Sequence, residues 1–305
     1  MKNKVVIVGA GMVGSTVAYS LILRNSVEEI ALIDTDEKLA SSQVMDLQHS
    51  VPFAGATRVK VGSYDDCRDS SVVVITCGAA QKPGETRLDL VQKNAAIIRD
   101  IVPRIFAANE DAVIVMVTNP VDVLTYLATR LYPDKKRRIM GTGTILDSAR
   151  LRHLLGAKLD INPKSIHAYM IGEHGDSEFP LWSAAAMGNM KLDTCEELSR
   201  AEKDSIAEEA RNAAYSIIEG KQSTYYAIGI GTADLVEAIL YDKRTILPVS
   251  HLMEGEYGIS DVCMSMPVVV GREGIVGKIC VKLSDDEVSL LKKSADVLRG
   301  VMGSF

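Results

Sequence analysis

Short, almost continuously apolar runs alternate with longer amphipathic segments in the first half of the chain. Runs rich in Val, Ile and Leu are typical of strands that are buried on both faces of a parallel sheet. The alternation of strands with helices therefore predicts an α/β domain, with helices on both faces of the sheet. Strands are predicted at Lys4–Val8, Ile30–Ile33, Arg58–Val61, Val72–Thr76, Ala112–Val117 and Arg138–Gly141, and helices at Gly14–Arg24, Asp89–Ala108 and Val121–Leu131.

The pattern changes near residue 143, after which strands and helices no longer alternate regularly. The second half is predicted to be an α+β domain with antiparallel strands. We therefore divide the chain into domains 1–142 and 143–305, separated by a change of topology and not by a flexible linker. The predicted elements are helices Asp147–Leu155 and Glu196–Glu219, a strand Ser165–Ile171, a hairpin of Val262–Val270 and Ile275–Lys282, and a final helix, Asp285–Val301, which begins at a capping box of Ser284 and Glu287.

A glycine-rich turn connects the first predicted strand to the first predicted helix. Gly9, Gly11 and Gly14 have the spacing GxGxxG, which is specific only in this strand–turn–helix context. The first glycine permits the tight turn, the second lets the backbone approach a pyrophosphate, and the third lets the helix pack on the strand. Met12 and Val13 then supply free N–H groups at the positive end of the helix dipole. The first domain is therefore predicted to be a doubly wound, Rossmann-type fold that binds a dinucleotide.

Asp34 follows the second predicted strand. A carboxylate at this position accepts hydrogen bonds from the ribose hydroxyls of the cofactor and repels a 2′-phosphate, so the predicted cofactor is NAD and not NADP. The alternative is that Asp34 only begins a turn with Thr35 and Asp36.

Composition and charge exclude several classes of protein. The 305 residues carry a net charge of −6, which argues against a nucleic-acid partner and requires local arginines for anionic substrates. The five cysteines form no CxxC pair, so reduced thiols and a cytoplasmic location are expected, and no metal site is expected. The sequence has no apolar run of roughly 18 residues, and therefore no membrane span is predicted.

Five segments, in order along the chain, combine glycines with polar residues at specific spacings. They are Val8-Gly-Ala-Gly-Met-Val-Gly14, Gln81-Lys-Pro-Gly-Glu-Thr-Arg87, Thr118-Asn-Pro-Val-Asp122, Leu146-Asp-Ser-Ala-Arg150 and Gly172-Glu-His-Gly-Asp176. On these segments the chain resembles the lactate/malate dehydrogenase family over essentially its whole length. The resemblance implies reversible hydride transfer between NAD(H) and a small 2-hydroxy acid. A catalytically silent NAD-binding regulator is an alternative that would require the loss of at least one functional residue.

The resemblance implies that His174 is the catalytic acid and base. An imidazole suits this role because its ordinary pKa lies near neutrality. Asp147 would stabilise the imidazolium and fix its tautomer, although it could also be only an acid at a helix N-terminus. Arg150 lies three residues later on the same helical face and would bind the substrate carboxylate with two hydrogen bonds. The alternative for Arg150 is a surface ion pair with Asp147.

The segment Ala80–Leu88 contains a proline and a glycine and has the composition of a mobile lid. In the resemblance, its Arg87 polarises the substrate carbonyl oxygen. Asn119 would hydrogen-bond the substrate oxygen or the cofactor, and Thr224 would line the substrate pocket. The Asn119–Pro120 peptide bond is a candidate for the cis form.

Gln81 distinguishes two substrates within the family. Malate dehydrogenases of this family have an arginine where this chain has Gln81, and that arginine pairs with the second carboxylate of oxaloacetate. A neutral glutamine leaves this carboxylate uncompensated in a closing site, so the predicted substrates are pyruvate and L-lactate. Lys82 could supply some of the missing charge, and therefore malate dehydrogenase activity is the alternative.

Arg152 and His167 resemble the residues with which many bacterial members of the family bind fructose 1,6-bisphosphate at a subunit interface. The resemblance implies a homotetramer in which these two cations form an allosteric phosphate site. The alternative is an ordinary arginine on a helix surface and a histidine on a strand, with no effector.

Overall fold

The computed structural model describes residues 3–79 and 87–303, except for the side chain of Arg87. Six strands of the first half are parallel: β1 Lys4–Val8, β2 Glu29–Ile33, β3 Arg58–Val61, β4 Val72–Ile75, β5 Val113–Met116 and β6 Ile139–Gly141. Their order across the sheet is β6-β5-β4-β1-β2-β3. This order is that of a doubly wound Rossmann-type fold, and it confirms the predicted fold class.

Each face of this sheet has its own apolar core. In β1, Val5 and Ile7 belong to one cluster, whereas Val6 and Val8 belong to the other. All four side chains are almost completely buried, which explains why the strand is an unbroken apolar run. The helices α1 Met12–Leu23 and α2 Glu37–Ala54 cover the first face, and α3 Arg87–Ala108 and α4 Val121–Leu131 cover the second. None of the described helices is long and apolar enough to cross a membrane.

The second half extends the same sheet with antiparallel strands. Its elements are α5 Ile145–Leu159, β7 Ile166–His167, β8 Met170–Ile171, β9 Phe179–Pro180, β10 Ala186–Met187, β11 Met190–Lys191, α6 Arg200–Lys221, α7 Tyr226–Leu240, β12 Thr245–Glu254, β13 Ser260–Gly271, β14 Gly274–Lys278 and α8 Asp285–Met302. Strand β12 pairs with β6 through Ser250 and Gly141, and β13 and β14 follow in the same sheet. The expected antiparallel strands are therefore confirmed.

Helix α7 completes the core of the first half. Its residues Ala233, Val236 and Ile239 belong to the same apolar cluster as Val5 and Ile7 of β1. Helix α7 also packs directly on α1. The first face of the parallel sheet is thus covered partly by a helix that lies far away in the sequence. The division expected at residue 142 falls between β6 and α5.

Several predicted elements differ from the structure in their bounds or pairing. The strand predicted at Ser165–Ile171 is wrong, because β7 pairs with β10 while β8 pairs with β9, so the segment divides between two small sheets. The helix predicted from Glu196 begins later, at Arg200, because Ser199 forms a capping box with Glu202. The hairpin of β13 and β14 is present as predicted, although β14 ends at Lys278 and not at Lys282, and the capping box of Ser284 and Glu287 is also present.

Candidate active site

The glycine-rich turn after β1 has no room for side chains at two of its glycines. Gly9 has a φ angle of +114°, and a Cβ atom there would lie 2.5 Å from the backbone nitrogen of Cys77. A Cβ atom on Gly14 would lie 1.9 Å from the carbonyl oxygen of Gly9. On Gly11, by contrast, a Cβ atom would meet no described atom within 4 Å. The turn therefore packs tightly against the sheet and leaves open space beside Gly11.

Helix α1 presents its N-terminus to this space. Its N-cap is Gly11, which has no side chain to accept hydrogen bonds from the N–H groups of the first turn. Met12 is 61% exposed and Val13 is half-buried, so this end of the helix is accessible. Free N–H groups and the helix dipole favour an anion at this position. The residues thus fit the pyrophosphate of NAD.

Asp34 lies next to the turn, at the carboxyl end of β2. Its Oδ2 accepts a hydrogen bond from the backbone N–H of Ala10 at 2.7 Å, and its Oδ1 accepts one from Asp36 at 3.0 Å. The turn of Asp34 with Thr35 and Asp36 is therefore present. The bond to Ala10 also holds the carboxylate of Asp34 beside the glycines. Carboxylate oxygens can accept further hydrogen bonds, so the position fits the ribose hydroxyls of NAD.

His174, Asp147 and Arg150 form a chain of hydrogen bonds. Nδ1 of His174 lies 2.7 Å from Oδ2 of Asp147, and Nη1 of Arg150 donates to Oδ1 of the same carboxylate at 2.7 Å. Because an ionised carboxylate only accepts, Nδ1 carries a hydrogen and Nε2 is left for other partners. The Asp147 side chain is 1% exposed and that of His174 is 27% exposed. The imidazole of His174 therefore lies between the buried carboxylate of Asp147 and the solvent.

The charge of Asp147 controls the protonation of His174. Burial alone would lower the pKa of the imidazole, but the charge and hydrogen bond of Asp147 raise this pKa to about 9. Burial opposes the ionisation of Asp147, yet His174 and Arg150 keep the pKa of this carboxyl below its ordinary value. The pair is thus an imidazolium and a carboxylate at neutral pH, which suits an acid that protonates a ketone.

Two further carboxyl groups approach His174, and no role for either was expected from the sequence. Oδ2 of Asp122, near the start of α4, accepts a hydrogen bond from the backbone N–H of His174 at 2.7 Å. Burial raises the pKa of Asp122 to about 6. Oε2 of Glu178 lies 3.9 Å from Nδ1 of His174. Asp122 ends one of the five motif segments and Glu178 lies two residues after another, but the sequence gives no sign that both side chains are buried.

Asn119 is placed by a hydrogen-bond bridge from α3. The Asn119–Pro120 bond is cis, as anticipated. Nδ2 of Asn94 donates to the backbone oxygen of Asn119 at 2.8 Å, while Oδ1 of Asn94 accepts from the backbone N–H of Ala79 at 2.7 Å. Asn94 therefore holds together the ends of β4 and β5, where ligands bind in such sheets. The side chain of Asn119 itself is exposed.

A cleft of about 370 Å³ lies beside Arg150. Thr224, in the loop before α7, lines this cleft together with Arg150, Leu146 and Tyr225. The structure thus brings Thr224 and Arg150 to one cavity, as expected for two residues of a substrate pocket. Charged and apolar groups both contribute to its wall, which is typical of sites for small organic anions.

Two expected substrate residues are not tested by the structure. Gln81 lies outside the described residues, as does most of the predicted lid. Arg87 begins α3, but its side chain lies outside the described part of the chain. Ala79 is the last described residue before residue 87, and its backbone N–H donates to Oδ1 of Asn94.

The two expected effector residues lie on adjacent elements. Arg152 is half-buried on α5, where its Nε donates to the backbone oxygen of Ser148 at 3.2 Å. His167 is exposed on β7, which packs against α5. The two residues therefore lie on elements that pack together.

Comparison with known proteins gives a consistent result over the whole chain. The NAD-binding domain of lactate/malate dehydrogenases matches residues 3–141, and the α/β C-terminal domain of the same family matches residues 144–304. The L-lactate dehydrogenase of Acetivibrio thermocellus is 44% identical over 98% of this chain and 96% of its own length. L-lactate dehydrogenase 1 of Bacillus cereus is 47% identical over 98% of this chain and 97% of its own. The ligand-bound crystal structure of the minor L-lactate dehydrogenase from Enterococcus mundtii superimposes with a TM-score of 0.96 at 37% identity, covering 99% of this chain and 98% of the other.

Proposed function

Because this chain belongs to the lactate/malate dehydrogenase family, we propose that it is an NAD-dependent L-lactate dehydrogenase that interconverts pyruvate and L-lactate. The main supporting observation is the 2.7 Å contact between His174 and Asp147, with Arg150 bound to the same carboxylate. A charged imidazole and a guanidinium side by side fit the two oxygen-bearing groups of a 2-oxo acid. We assign residues 1–142 to cofactor binding and residues 143–305 to the substrate side.

NAD(H) supplies or accepts the hydride when it is bound. In pyruvate reduction, Nε2 of His174 gives its proton to the ketone oxygen, and in lactate oxidation the neutral imidazole takes the hydroxyl proton back. Asp147 stabilises the imidazolium and fixes the tautomer with hydrogen on Nδ1. Arg150 binds the substrate carboxylate and so determines which face of C2 is presented to the cofactor.

The remaining assigned residues complete the pocket. Arg87 polarises the carbonyl oxygen from the lid, Asn119 hydrogen-bonds the same oxygen or the cofactor, and Thr224 lines the cleft with Arg150. Gln81 selects pyruvate over oxaloacetate, since a neutral amide does not compensate a second carboxylate. The glycine turn and Asp34 bind the pyrophosphate and the adenosine ribose of NAD.

NADH oxidation with pyruvate and with oxaloacetate tests this function. We expect a preference of about 100-fold or more for pyruvate, because an unpaired charge in a closed site costs about 3 kcal/mol. A preference for oxaloacetate would instead favour malate dehydrogenase activity, with Lys82 or another cation supplying the charge. No turnover of either acid, together with normal NADH binding, would favour the catalytically silent regulator.

We also propose a homotetramer that resides in the cytoplasm and regenerates NAD during fermentation. The five free cysteines support a reducing compartment.

Arg152 and His167 would form a site for fructose 1,6-bisphosphate where two subunits meet. Addition of the bisphosphate should then lower the KM for pyruvate, and the variant R152Q should lose this response. If the bisphosphate leaves the KM for pyruvate unchanged at every pH between 5 and 8, these residues have no effector role.

A further inference from the structure

Glu178 is a buried carboxyl group that no proposed step yet uses. Its side chain is only 2% exposed. Its Oε2 has no hydrogen-bond donor among the described residues. One oxygen of Glu178, one of Asp147 and a ring nitrogen of His174 lie within 4.8 Å of one another. An ionised carboxylate in such a place would leave a buried acceptor unsatisfied, which is costly.

The charges around Glu178 do not compensate a second anion. Asp147 uses Oδ1 for Arg150 and Oδ2 for His174, so its own charge is already paired. Asp122 approaches the His174 loop from α4 and adds negative charge. The two cations of this group, His174 and Arg150, are therefore already matched by two anions, Asp147 and Asp122, which leaves no positive charge over for Glu178.

The other elements near Glu178 contribute charges of both signs. In its own loop, the carboxylate of Glu173 accepts a hydrogen bond from Ser177. Farther out, Glu178 lines a surface pocket that also contains charged side chains of α6 and α8. These include Lys203, Glu208, Arg211, Asp286, Glu287 and Lys293. No single sign of charge dominates this side, so it provides no dedicated partner for an ionised Glu178.

We propose that Glu178 is held as a neutral carboxylic acid whose O–H donates a hydrogen bond to Asp147, and that it thereby positions the catalytic pair and limits the basicity of His174. The added proton turns the unsatisfied oxygen into a donor and gives Asp147 a third hydrogen bond. The proposal depends on the proposed function only in that His174 is the acid and base.

The electrostatics of the site agree with this assignment. Burial and the neighbouring charge of Asp147 raise the pKa of Glu178 well above its ordinary value. A hydrogen bond with Glu178 is among the effects that keep the pKa of Asp147 low. When two carboxyl groups share a buried site, ionisation of one disfavours ionisation of the other.

A neutral Glu178 has a functional consequence. A hydrogen bond to Asp147 withdraws part of its negative charge from His174, whereas an ionised Glu178 would add a second anion beside the imidazolium. The second arrangement would hold the proton on His174 more tightly and slow its transfer to the substrate. Glu178 is therefore a positioning residue, since it acts through Asp147.

A metal ion is the competing occupant, because one histidine and two carboxylates have suitable ligand atoms. Two observations favour a proton. Both carboxyl groups are almost inaccessible, and the guanidinium of Arg150 already binds Asp147 at 2.7 Å. A divalent cation would have to enter a buried space beside a fixed positive charge.

The variants E178Q and E178L separate these possibilities. Glutamine is neutral and can still donate, whereas leucine is neutral and cannot donate. The pKa of His174 would be measured in the substrate-free enzyme from the ring carbon resonances of its histidines. The chain has only five histidines, and H174N would assign the relevant signal. The pH dependence of pyruvate reduction would be measured in parallel.

We expect E178Q to keep the pKa of His174 within about 0.3 units of wild type, because one neutral group replaces another. We expect E178L to lower kcat roughly tenfold with little change in KM, since the outer partner of a functional histidine is lost. A fall of about one unit or more in the pKa of His174 in E178Q would show that Glu178 is ionised, and would overturn the proposal.

Three further results bear on the proposal. Equal kcat values for E178Q and E178L would overturn the donor role, and so would a wild-type pH profile that shifts after dialysis against a chelator. If E178L does not fold, the comparison of E178Q with wild type still decides the charge of Glu178. Because the pKa of His174 is measured without substrate, failure of the lactate dehydrogenase assignment would be recognised separately, as wild-type enzyme that does not reduce pyruvate.

Discussion

Arg150 donates to the same carboxylate that holds His174, since Nη1 of Arg150 and Oδ1 of Asp147 lie 2.7 Å apart. One aspartate thus controls both the proton of the imidazole and the orientation of the guanidinium. A change at Asp147 should therefore affect proton transfer and substrate binding together.

The variant D147N should reduce kcat/KM for pyruvate by a factor of about 100 or more, because the imidazolium loses its charged partner. The pKa of His174, about 9 in the wild type, should fall toward its ordinary value. The protonated imidazole is the active form in reduction, so the alkaline loss of activity should begin at lower pH. The control is D160N, at the exposed C-cap of the same helix, where the left-handed backbone also suits asparagine. An alkaline limb unchanged in D147N would contradict the role of Asp147.

The glycine turn allows binding and folding to be separated. G14A should not fold normally, because its Cβ would lie 1.9 Å from the oxygen of Gly9. G11A should change the free energy of unfolding by less than about 1 kcal/mol, yet raise the Kd for NADH about tenfold or more, since the added methyl enters the pyrophosphate space. Urea unfolding and NADH fluorescence titration measure the two effects. G220A, in open space on α6, is the matched control and should leave NADH binding unchanged. Tight NADH binding by G11A would argue against this location of the pyrophosphate.

Asn94 should matter for catalysis although it is assigned no contact with the substrate. N94A removes the bonds to Ala79 and Asn119, so it should cost about 2 kcal/mol of stability and about tenfold in kcat/KM. Asn109 provides a control, because its side chain also bridges backbone groups, the oxygens of Cys67 and Ser70, but away from the site. N109A should lose similar stability and keep its kinetic constants. If both variants lose activity equally, Asn94 has only a structural role.

His251 should make the protein sensitive to acid. It is 3% exposed on β12, and burial lowers its pKa to about 4. Between its ordinary pKa of about 6.5 and this value, the unfolded chain binds a proton that the folded chain does not, so stability falls as the pH falls through this window. The loss approaches about 3 kcal/mol at pH 4. H251N should show a flatter dependence of unfolding free energy on pH than the exposed-site control H49N. Parallel curves would exclude His251 as the cause.

The sequence was sufficient for residues whose relationship is local or belongs to a motif. The spacing of Asp147 and Arg150 places both on one helical face, and the glycines identified the turn after β1. It was not sufficient where burial depends on distant packing. Glu178 and Asn94 are polar residues with no local sign that they are enclosed. Strand β12 was not predicted because Ser250 and His251 interrupt its apolar pattern, although both are buried in the fold.

The packing of α7 on α1 and β1 has a consequence for the history of the chain. All residues assigned to NAD lie before residue 143, yet a module cut at that point would expose the apolar surface that Ala233, Val236 and Ile239 cover. Such a fragment would tend to aggregate in place of binding its cofactor. The nucleotide-binding half is therefore not an independently folding unit. Its exchange between proteins by recombination would also have required an equivalent of helix α7.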